Sequence, residues 1–240
     1  MKLPRAAKEH RSFVSARGIQ PFGEWHRFAN EELLSEAVSE RLAGEVRKKQ
    51  DSLICLATGA SPKRTYELLA AKARKQPSLF EKTRWMKLDE WGGLAMDDPA
   101  SCEYFLRQTL LNSLAVPPER YFGWISQPAN TEEECDRVAE WLKANGPIDI
   151  QVLGLGENGH LGFNEPAQEL QSGPHVAELS AVSMGHSMLA NKQGKVAFGL
   201  TLGMNDILSA RQIILLVSGE RKSKQLLRLA TGEESPQFPA

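Results

Sequence analysis

Short apolar runs alternate with amphipathic stretches along this chain, and that alternation limits the folds it can adopt. The apolar runs that predict β-strands cover residues 52–57, 85–88, 148–153 and 212–217. The stretches that predict helices cover residues 30–50, 63–75, 131–145, 204–210 and 219–230. Buried strands joined by helices favour a mostly parallel sheet. We therefore predict a single α/β domain, doubly wound and Rossmann-like, with helices flanking the sheet.

Composition limits the size of the core and the partners that this chain can have. A chain of 240 residues with 41% hydrophobic content can bury a sizeable core. Its net charge of −1 does not favour nucleic-acid or membrane binding, and its three cysteines form no paired framework. Residues 1–20 lean basic and are interpreted as a solvated extension of a domain at residues 21–240. We expect a cytoplasmic protein, monomeric or homo-oligomeric, with neither nucleic acid nor membrane as partner.

A glycine-rich loop follows the apolar run at 148–153. Residues 154–166 contain four glycines together with His160 and Glu165. Glycines let the backbone turn sharply close to a small ligand, and a histidine with a carboxylate supplies acid–base groups. Because ligands of doubly wound sheets bind beyond the carboxyl ends of the strands, this loop is predicted to be part of an active site.

The same loop matches the pattern Gly-x-Gly-x-x-Gly of dinucleotide-binding proteins at Gly154, Gly156 and Gly159. That pattern requires a helix to begin within it. Here it continues into a fourth glycine, Gly162, and into Pro166, which does not favour a helix. Nucleotide binding is therefore the weaker interpretation.

Two further strand exits carry candidate chemistry. Residues 58–62 lie between a strand and a helix, where a helix N-terminus favours an anion, and Ser61 is expected to cap the helix with Pro62 at its first position. An ordinary helix start is the alternative. Asp89 and Glu90 follow another strand and are interpreted as a general base with its neighbour, or as a solvated turn.

These three segments together resemble one enzyme family. Residues 56–62 (LATGASP), 87–91 (KLDEW) and 154–166 (GLGENGHLGFNEP) resemble the glucosamine-6-phosphate deaminase/isomerase family of the 6-phosphogluconolactonase superfamily. Within it, ICLATGA at residues 54–60, KLDEW and Asn158 are most similar to the galactosamine-6-phosphate isomerase (deaminase) branch. The resemblance extends from about Glu32 to the end of the chain.

The resemblance implies an isomerisation without cofactor or metal, coupled to loss of an amine. A hexosamine 6-phosphate opens from its ring form, a proton moves from C2 to C1, and ammonia leaves. Asp89 would move the proton between carbons, and His160 would catalyse ring opening with Glu165 and Asn158 as partners. The expected substrate and phosphate contacts are Thr58, Gly59, Ala60, Ser61, Glu90, Gly159 and Lys222.

Three departures from the family pattern carry their own expectations. Asn158 stands where the glucosamine enzymes usually have aspartate. An amide can accept a hydrogen bond from the imidazole but cannot stabilise imidazolium by charge, so we expect His160 to depend more on Glu165 and the substrate epimer or the rate to differ. Residues 172–179 and 185–189 contain no arginine, so allosteric activation of the glucosamine type is not expected, and His186 takes over part of substrate binding. Relatives continue beyond Ala240 into a final strand, so an edge strand is expected to be missing.

Two other functions stay open at this point. A sugar-phosphate lactonase would use the same fold and His160 with water as the nucleophile, without needing Asp89 as a base. A sugar-phosphate sensor would keep the phosphate loop and lose the chemistry. Asp89, His160 and Glu165 are all present, which favours catalysis.

Overall fold

The structure, a computed structural model, describes residues 23–190, 192, 194–232 and 234–240. The predicted extension at residues 1–20 lies outside these described residues. The α-helices are α1 (Glu31–Lys48), α2 (Ala60–Lys75), α3 (Cys102–Leu106), α4 (Thr131–Asn145), α5 (Ala181–Met184), α6 (Met204–Leu208) and α7 (Ser223–Ala230). The strands are β1 (Leu53–Leu56), β2 (Arg84–Lys87), β3 (Asp89–Gly92), β4 (Tyr121–Phe122), β5 (Ile150–Gly154), β6 (His175–Ala177), β7 (Phe198–Thr201) and β8 (Gln212–Leu216).

The main sheet is parallel and confirms the predicted fold class. Its order is β4–β2–β1–β5–β8, and every neighbouring pair is parallel. The chain moves outward in one direction from β1 through β2 to β4, and in the other direction from β5 to β8. The order therefore reverses between β1 and β5, and such a switch point leaves a crevice beyond the carboxyl ends of the two strands.

Both faces of this sheet are covered, as a doubly wound fold requires. Successive side chains of a strand point to opposite faces. In β1, Ile54 and Leu56 join a core under α1 and α2, whereas Leu53 and Cys55 join a second core on the side of α4 and α6. All four side chains have no exposed surface, so burial on both faces explains why β1 is apolar throughout rather than alternating.

A small antiparallel sheet, β3–β7–β6, was not predicted. The sequence predicts that the strand ends before Asp89 and Glu90, but residues 89–92 form β3, which pairs with β7 so that Asp89 lies opposite Thr201. The solvated turn that is one of the two interpretations of Asp89 and Glu90 is therefore wrong. The partner strand lies more than a hundred residues away, and β3 ends in a glycine, so no local pattern indicates the pairing. The consequence for the site is large, because Asp89 is held in a strand instead of a loop.

Helix boundaries follow local capping signals where these exist. Asn30 caps α1 by accepting from the Leu33 N–H at 2.9 Å. Asn130 caps α4, which has the predicted bounds and stops at Gly146. The predicted helix at 219–230 is shorter, because Glu220–Lys222 form a 3₁₀ turn before α7.

The described helices and loops also bear on two function classes. Residues 155–166 contain turns and an isolated bridge between Leu161 and Asn164, and no helix begins there, which removes the structural basis for dinucleotide binding. No helix within the described ranges is both long and apolar enough to cross a membrane.

Candidate active site

The candidate site lies at the switch point between β1 and β5. The backbone N–H of Ala57 donates to the carbonyl of Val152 at 3.3 Å, so the two strands leave the sheet side by side. Two segments extend from this edge. One is residues 58–61, which we call the phosphate loop, and the other is Gly154–Pro166, which we call the His160 loop.

His160 and Glu165 form the acid–base pair of the His160 loop. His160 Nδ1 lies 3.4 Å from Glu165 Oε2. Asn158 supports both partners, since its side-chain amide donates to Glu165 Oε2 at 2.7 Å and its Oδ1 accepts from the backbone N–H of His160 at 3.2 Å. The Asn158 amide oxygen, which could accept from an imidazole, accepts from the His160 backbone instead. The expected dependence of His160 on Glu165 agrees with this geometry.

A second group of donors holds the other oxygen of Glu165. The Ser183 hydroxyl donates to Glu165 Oε1 and lies 3.4 Å from His160 Nδ1, and the Ser180 N–H donates to Oε1 at 3.3 Å. Burial alone would raise the pKa of Glu165. The hydrogen bonds from His160, Ser183 and Asn158 outweigh it and lower the pKa to about 2. Glu165 is therefore a permanent anion that orients the imidazole.

Asp89 has the opposite environment. Asp89 is the first residue of β3, and 6% of its surface is exposed. Its Oδ1 atom has no hydrogen-bond partner among the described residues. Burial, and next the negative charge of Glu90, raise the pKa of Asp89 to about 7. A Cβ at Gly162 would lie 3.5 Å from Asp89 Oδ2, so the His160 loop passes directly beside this carboxyl group.

Glu90 points away from Asp89, as neighbours on a strand do. Its side chain is fully buried and both of its oxygens accept hydrogen bonds within the protein. The donors are Lys87 Nζ at 2.6 Å and the backbone N–H groups of Trp91 at 2.9 Å, Cys102 at 2.8 Å and Glu103 at 2.9 Å. The predicted contact between Glu90 and substrate is thus wrong, because Glu90 joins β3 to the start of α3 and reaches the site only through its charge.

The phosphate loop leads into α2 at its N-terminus. Gly59 is the N-cap residue with φ +106°, a left-handed conformation that favours glycine, and α2 begins at Ala60. The expected cap by Ser61 with Pro62 at the first position is therefore wrong by two residues. No side chain caps this helix and its first turn has no acidic residue, so its first N–H groups could bind an anion.

His186 and Lys222 complete the charge around the phosphate loop. His186 Nδ1 accepts from the Met188 N–H at 3.2 Å, so the neutral ring carries its proton on Nε2. Nε2 lies 3.7 Å from the position that a Cβ of Gly59 would take. Burial, and then the charges of His160 and Lys222, lower the pKa of His186, and burial also lowers the pKa of Lys222. His186 therefore adjoins the phosphate loop, and Lys222 is near enough to His186 for its charge to act on the imidazole.

Comparison with known proteins identifies the family of this chain. A family model described as glucosamine-6-phosphate isomerases/6-phosphogluconolactonase matches residues 29–240. The chain belongs to this family. "Putative deaminase AgaI" of Escherichia coli (strain K12) is 41% identical over 222 residues, which cover 92% of this chain and 88% of that protein. Glucosamine-6-phosphate deaminase 1 of Bacillus subtilis (strain 168) is 32% identical and covers 87% of both.

Solved structures of the family agree with the fold. A monomeric glucosamine-6-phosphate deaminase superimposes with a TM-score of 0.81 at 32% identity, covering 88% of each chain. The 6-phosphogluconolactonase of Trypanosoma brucei superimposes with a TM-score of 0.67, covering 83% of each chain, and its 21% identity indicates the shared fold alone. The family resemblance predicted from the three motifs is confirmed.

Sequence reasoning missed the part of the site that follows the His160 loop. Ser180 and Ser183 both hold Glu165, and neither was predicted. Their spacing is the available signal, since Ser180 caps the short helix α5 by accepting from the Ser183 N–H at 3.2 Å. No group of three or more His, Cys, Asp or Glu side chains within the described ranges could hold a metal ion.

Proposed function

We propose that this chain converts an amino-hexose 6-phosphate to a ketohexose 6-phosphate and ammonia, with galactosamine 6-phosphate as the preferred substrate and tagatose 6-phosphate as the product. The observation that carries the proposal is Asp89, a buried carboxyl group whose pKa is raised to about 7 and which lies beside the His160 loop. A carboxylate with a pKa near neutrality is suited to take a proton from carbon and to return it.

The substrate enters with its phosphate at the start of α2. The dianion meets the N–H groups of the phosphate loop, the Nε2–H of His186 and the ammonium of Lys222. The first-turn residues that hold it are Gly59, Ala60 and Ser61, together with the hydroxyl of Thr58. The Thr58 hydroxyl donates to Cys102 Sγ at 3.2 Å in the protein alone, so binding would redirect it.

Ring opening at His160 and proton transfer at Asp89 follow. The imidazole of His160 moves a proton between the C1 hydroxyl and the ring oxygen of the sugar. Glu165 holds the imidazole in place. Asp89 then takes the C2 proton of the open-chain amino aldehyde and returns it to C1. This yields a 2-imino sugar, which one water molecule hydrolyses to the ketose and ammonia. Each positioned acid–base group contributes about 10²–10⁴-fold.

The galacto epimer is proposed on two grounds. The motif wording at residues 54–60 and 87–91 with Asn158 resembles the galactosamine branch. Identity to the AgaI protein is 41%, against 32% to the glucosamine-6-phosphate deaminase of Bacillus subtilis. A lactonase function has no comparable support, since the solved lactonases share the fold at low identity and a lactonase does not need the Asp89 carboxyl.

The test is ammonia release from galactosamine 6-phosphate and from glucosamine 6-phosphate, measured with the same preparation. We expect the larger kcat/KM with the galacto epimer. A larger value with the gluco epimer would overturn the epimer preference alone. No ammonia from either, with hydrolysis of 6-phosphogluconolactone, would replace deamination by lactone hydrolysis.

A further inference from the structure

The end of the chain packs against the His160 loop. Phe238 is 2% exposed, and a Cβ at Gly159 would lie only 2.3 Å from its Cδ2 atom. Gly159 has φ +93°, so both its conformation and the approach of the ring require glycine. The ring of Phe238 therefore covers the backbone of the residue that lies between Asn158 and His160.

A second contact fixes the far end of the same loop. The N–H of Ala167, the residue after Pro166, donates to the carbonyl of Pro236 at 3.0 Å. The side-chain amide of Gln237 donates to the carbonyl of Ala167 at 3.1 Å. Both polar groups of the Ala167 backbone are thus bound by the segment 235–240, directly beyond Glu165.

Helix α7 supports this segment and adds a third contact. The guanidinium of Arg228 lies 4.2 Å from the centre of the Phe238 ring. The amide of Gln225, a buried side chain, donates to the carbonyl of Glu157 at 2.6 Å. The contacted residues 157 and 159 lie on either side of Asn158, with 159 directly before His160. Residue 167 lies two positions after Glu165.

We propose that residues 235–240, seated on α7, act as a positioning element that fixes the geometry of the His160 loop. The inference rests on the proposed function for its catalytic consequence, and on contacts alone for its structural one. The loop has turns and one isolated bridge as its own structure, so its precision depends on outside contacts. None of residues 235–240 is placed at the substrate; their effect is exerted through Gly159 and Ala167.

Three variants of the segment and one control test this. Phe238→Ala removes the ring, Phe238→Leu keeps an apolar side chain, and Gln237→Ala removes an exposed amide that has no part in the core. The control is Phe80→Leu, since Phe80 is 3% exposed in the core under α1 and α2, on the other side of the sheet. Hydrogen–deuterium exchange of a peptide spanning residues 155–168 is measured together with kcat and KM.

In Phe238→Ala we expect exchange of this peptide to accelerate and kcat to fall about 10- to 100-fold, with KM changed less than about threefold, because misplaced groups mainly cost rate. Gln237→Ala gives a smaller change of the same kind, and Phe238→Leu restores most of both. Phe80→Leu lowers the unfolding midpoint without selectively accelerating exchange of the loop.

Unchanged loop exchange in both Phe238→Ala and Gln237→Ala would overturn the proposal. So would equal changes in Phe80→Leu, or a higher KM with an unchanged kcat. If Phe238→Ala does not fold, Gln237→Ala and Phe238→Leu decide. If the wild-type protein releases no ammonia from any amino sugar, the proposed function fails, and exchange alone still decides whether the segment holds the loop.

Discussion

Asp89 and Glu165 are two largely buried carboxyl groups of the same site, and their surroundings shift their pKa values in opposite directions. Asp89 has one oxygen without a hydrogen-bond partner among the described residues and a pKa raised to about 7. Glu165 accepts from Asn158, Ser180 and Ser183 and faces His160, and its pKa is lowered to about 2. Burial raises both pKa values, and the hydrogen-bond donors and charges around each carboxyl group decide the outcome.

The difference assigns different work to the two groups. A carboxyl group poised near neutrality can take and return a proton, whereas one ionised throughout the working range can only hold a partner. In the proposed reaction, Asp89 carries the proton and Glu165 is the fixed charge, and solvation and hydrogen bonding separate these roles between two groups of the same chemical type.

Replacing the proton carrier should give the largest effect. We expect Asp89→Asn to lower kcat/KM for ammonia release by about 10²–10⁴-fold, because the base is lost. The same substitution should increase stability at alkaline pH. The folded pKa of about 7 exceeds 3.8, the ordinary pKa of an aspartate, so ionised Asp89 costs stability as pH rises through this window. The variant should be more stable than wild type at pH 8, by up to about 4 kcal/mol, and the gain should vanish at pH 3.

Urea unfolding at both pH values together with steady-state kinetics measures this. Asp97→Asn, at an exposed aspartate, serves as the control and should change neither quantity appreciably. Loss of stability at pH 8 in Asp89→Asn would break the contrast with Glu165.

Replacing Glu165, the fixed charge, should have the next largest effect on kcat/KM. Its effect on stability should be opposite in sign to that of Asp89→Asn. Glu165→Gln leaves His160 without its anion, and we expect kcat/KM to fall about 10- to 100-fold. The folded pKa of about 2 lies below 4.5, the ordinary pKa of a glutamate, so the stabilisation is present above about pH 4.5 and is lost as pH falls towards 2. The variant should be less stable than wild type at pH 7 by about 1–3 kcal/mol, and the gap should close in acid. Glu169→Gln, at an exposed glutamate, is the matched control.

Removing one donor from Glu165 should give a smaller version of that result. Ser183→Ala deletes a buried hydroxyl that donates to Oε1. We expect the free energy of unfolding at pH 7 to fall by about 1–2 kcal/mol, and kcat to fall about tenfold with little change in KM. Ser187→Ala, at an exposed serine, is the control. A change in KM alone would mean that Ser183 contacts the substrate and does not orient the pair.

The finest test changes only the charge behind Asp89. In wild type kcat/KM should fall by a factor of ten per pH unit below about pH 7, since protonated Asp89 is no base. Glu90→Gln removes a negative charge that raises this pKa, so the acid limb should move to lower pH by about half a unit to one unit. Glu103→Gln removes another carboxylate bound to Lys87, at 3.0 Å, and should leave the limb in place. A shift to higher pH in Glu90→Gln would contradict this account.

Local patterns were sufficient for most of the main sheet. Apolar runs near 53–56, 84–87, 150–154 and 212–216 were found because burial on both faces leaves few polar side chains in a strand. The bounds of α4 followed from its cap, its acidic first turn and Gly146. At Gly59 the local signal misled, because Ser-Pro suggested a cap that a left-handed glycine provides two residues earlier.

The sequence by itself determined the family and the fold class, and it predicted Asp89, His160 and Glu165 as site residues, because strand periodicity and the motifs are local properties. Only the tertiary structure decided the environment of each group. It turned Asp89 into a buried strand residue, turned Glu90 away from the site, brought Ser183 to Glu165, and placed Phe238 on Gly159. These contacts join residues that are distant or differently oriented along the chain, and a pKa depends on burial and donors in space.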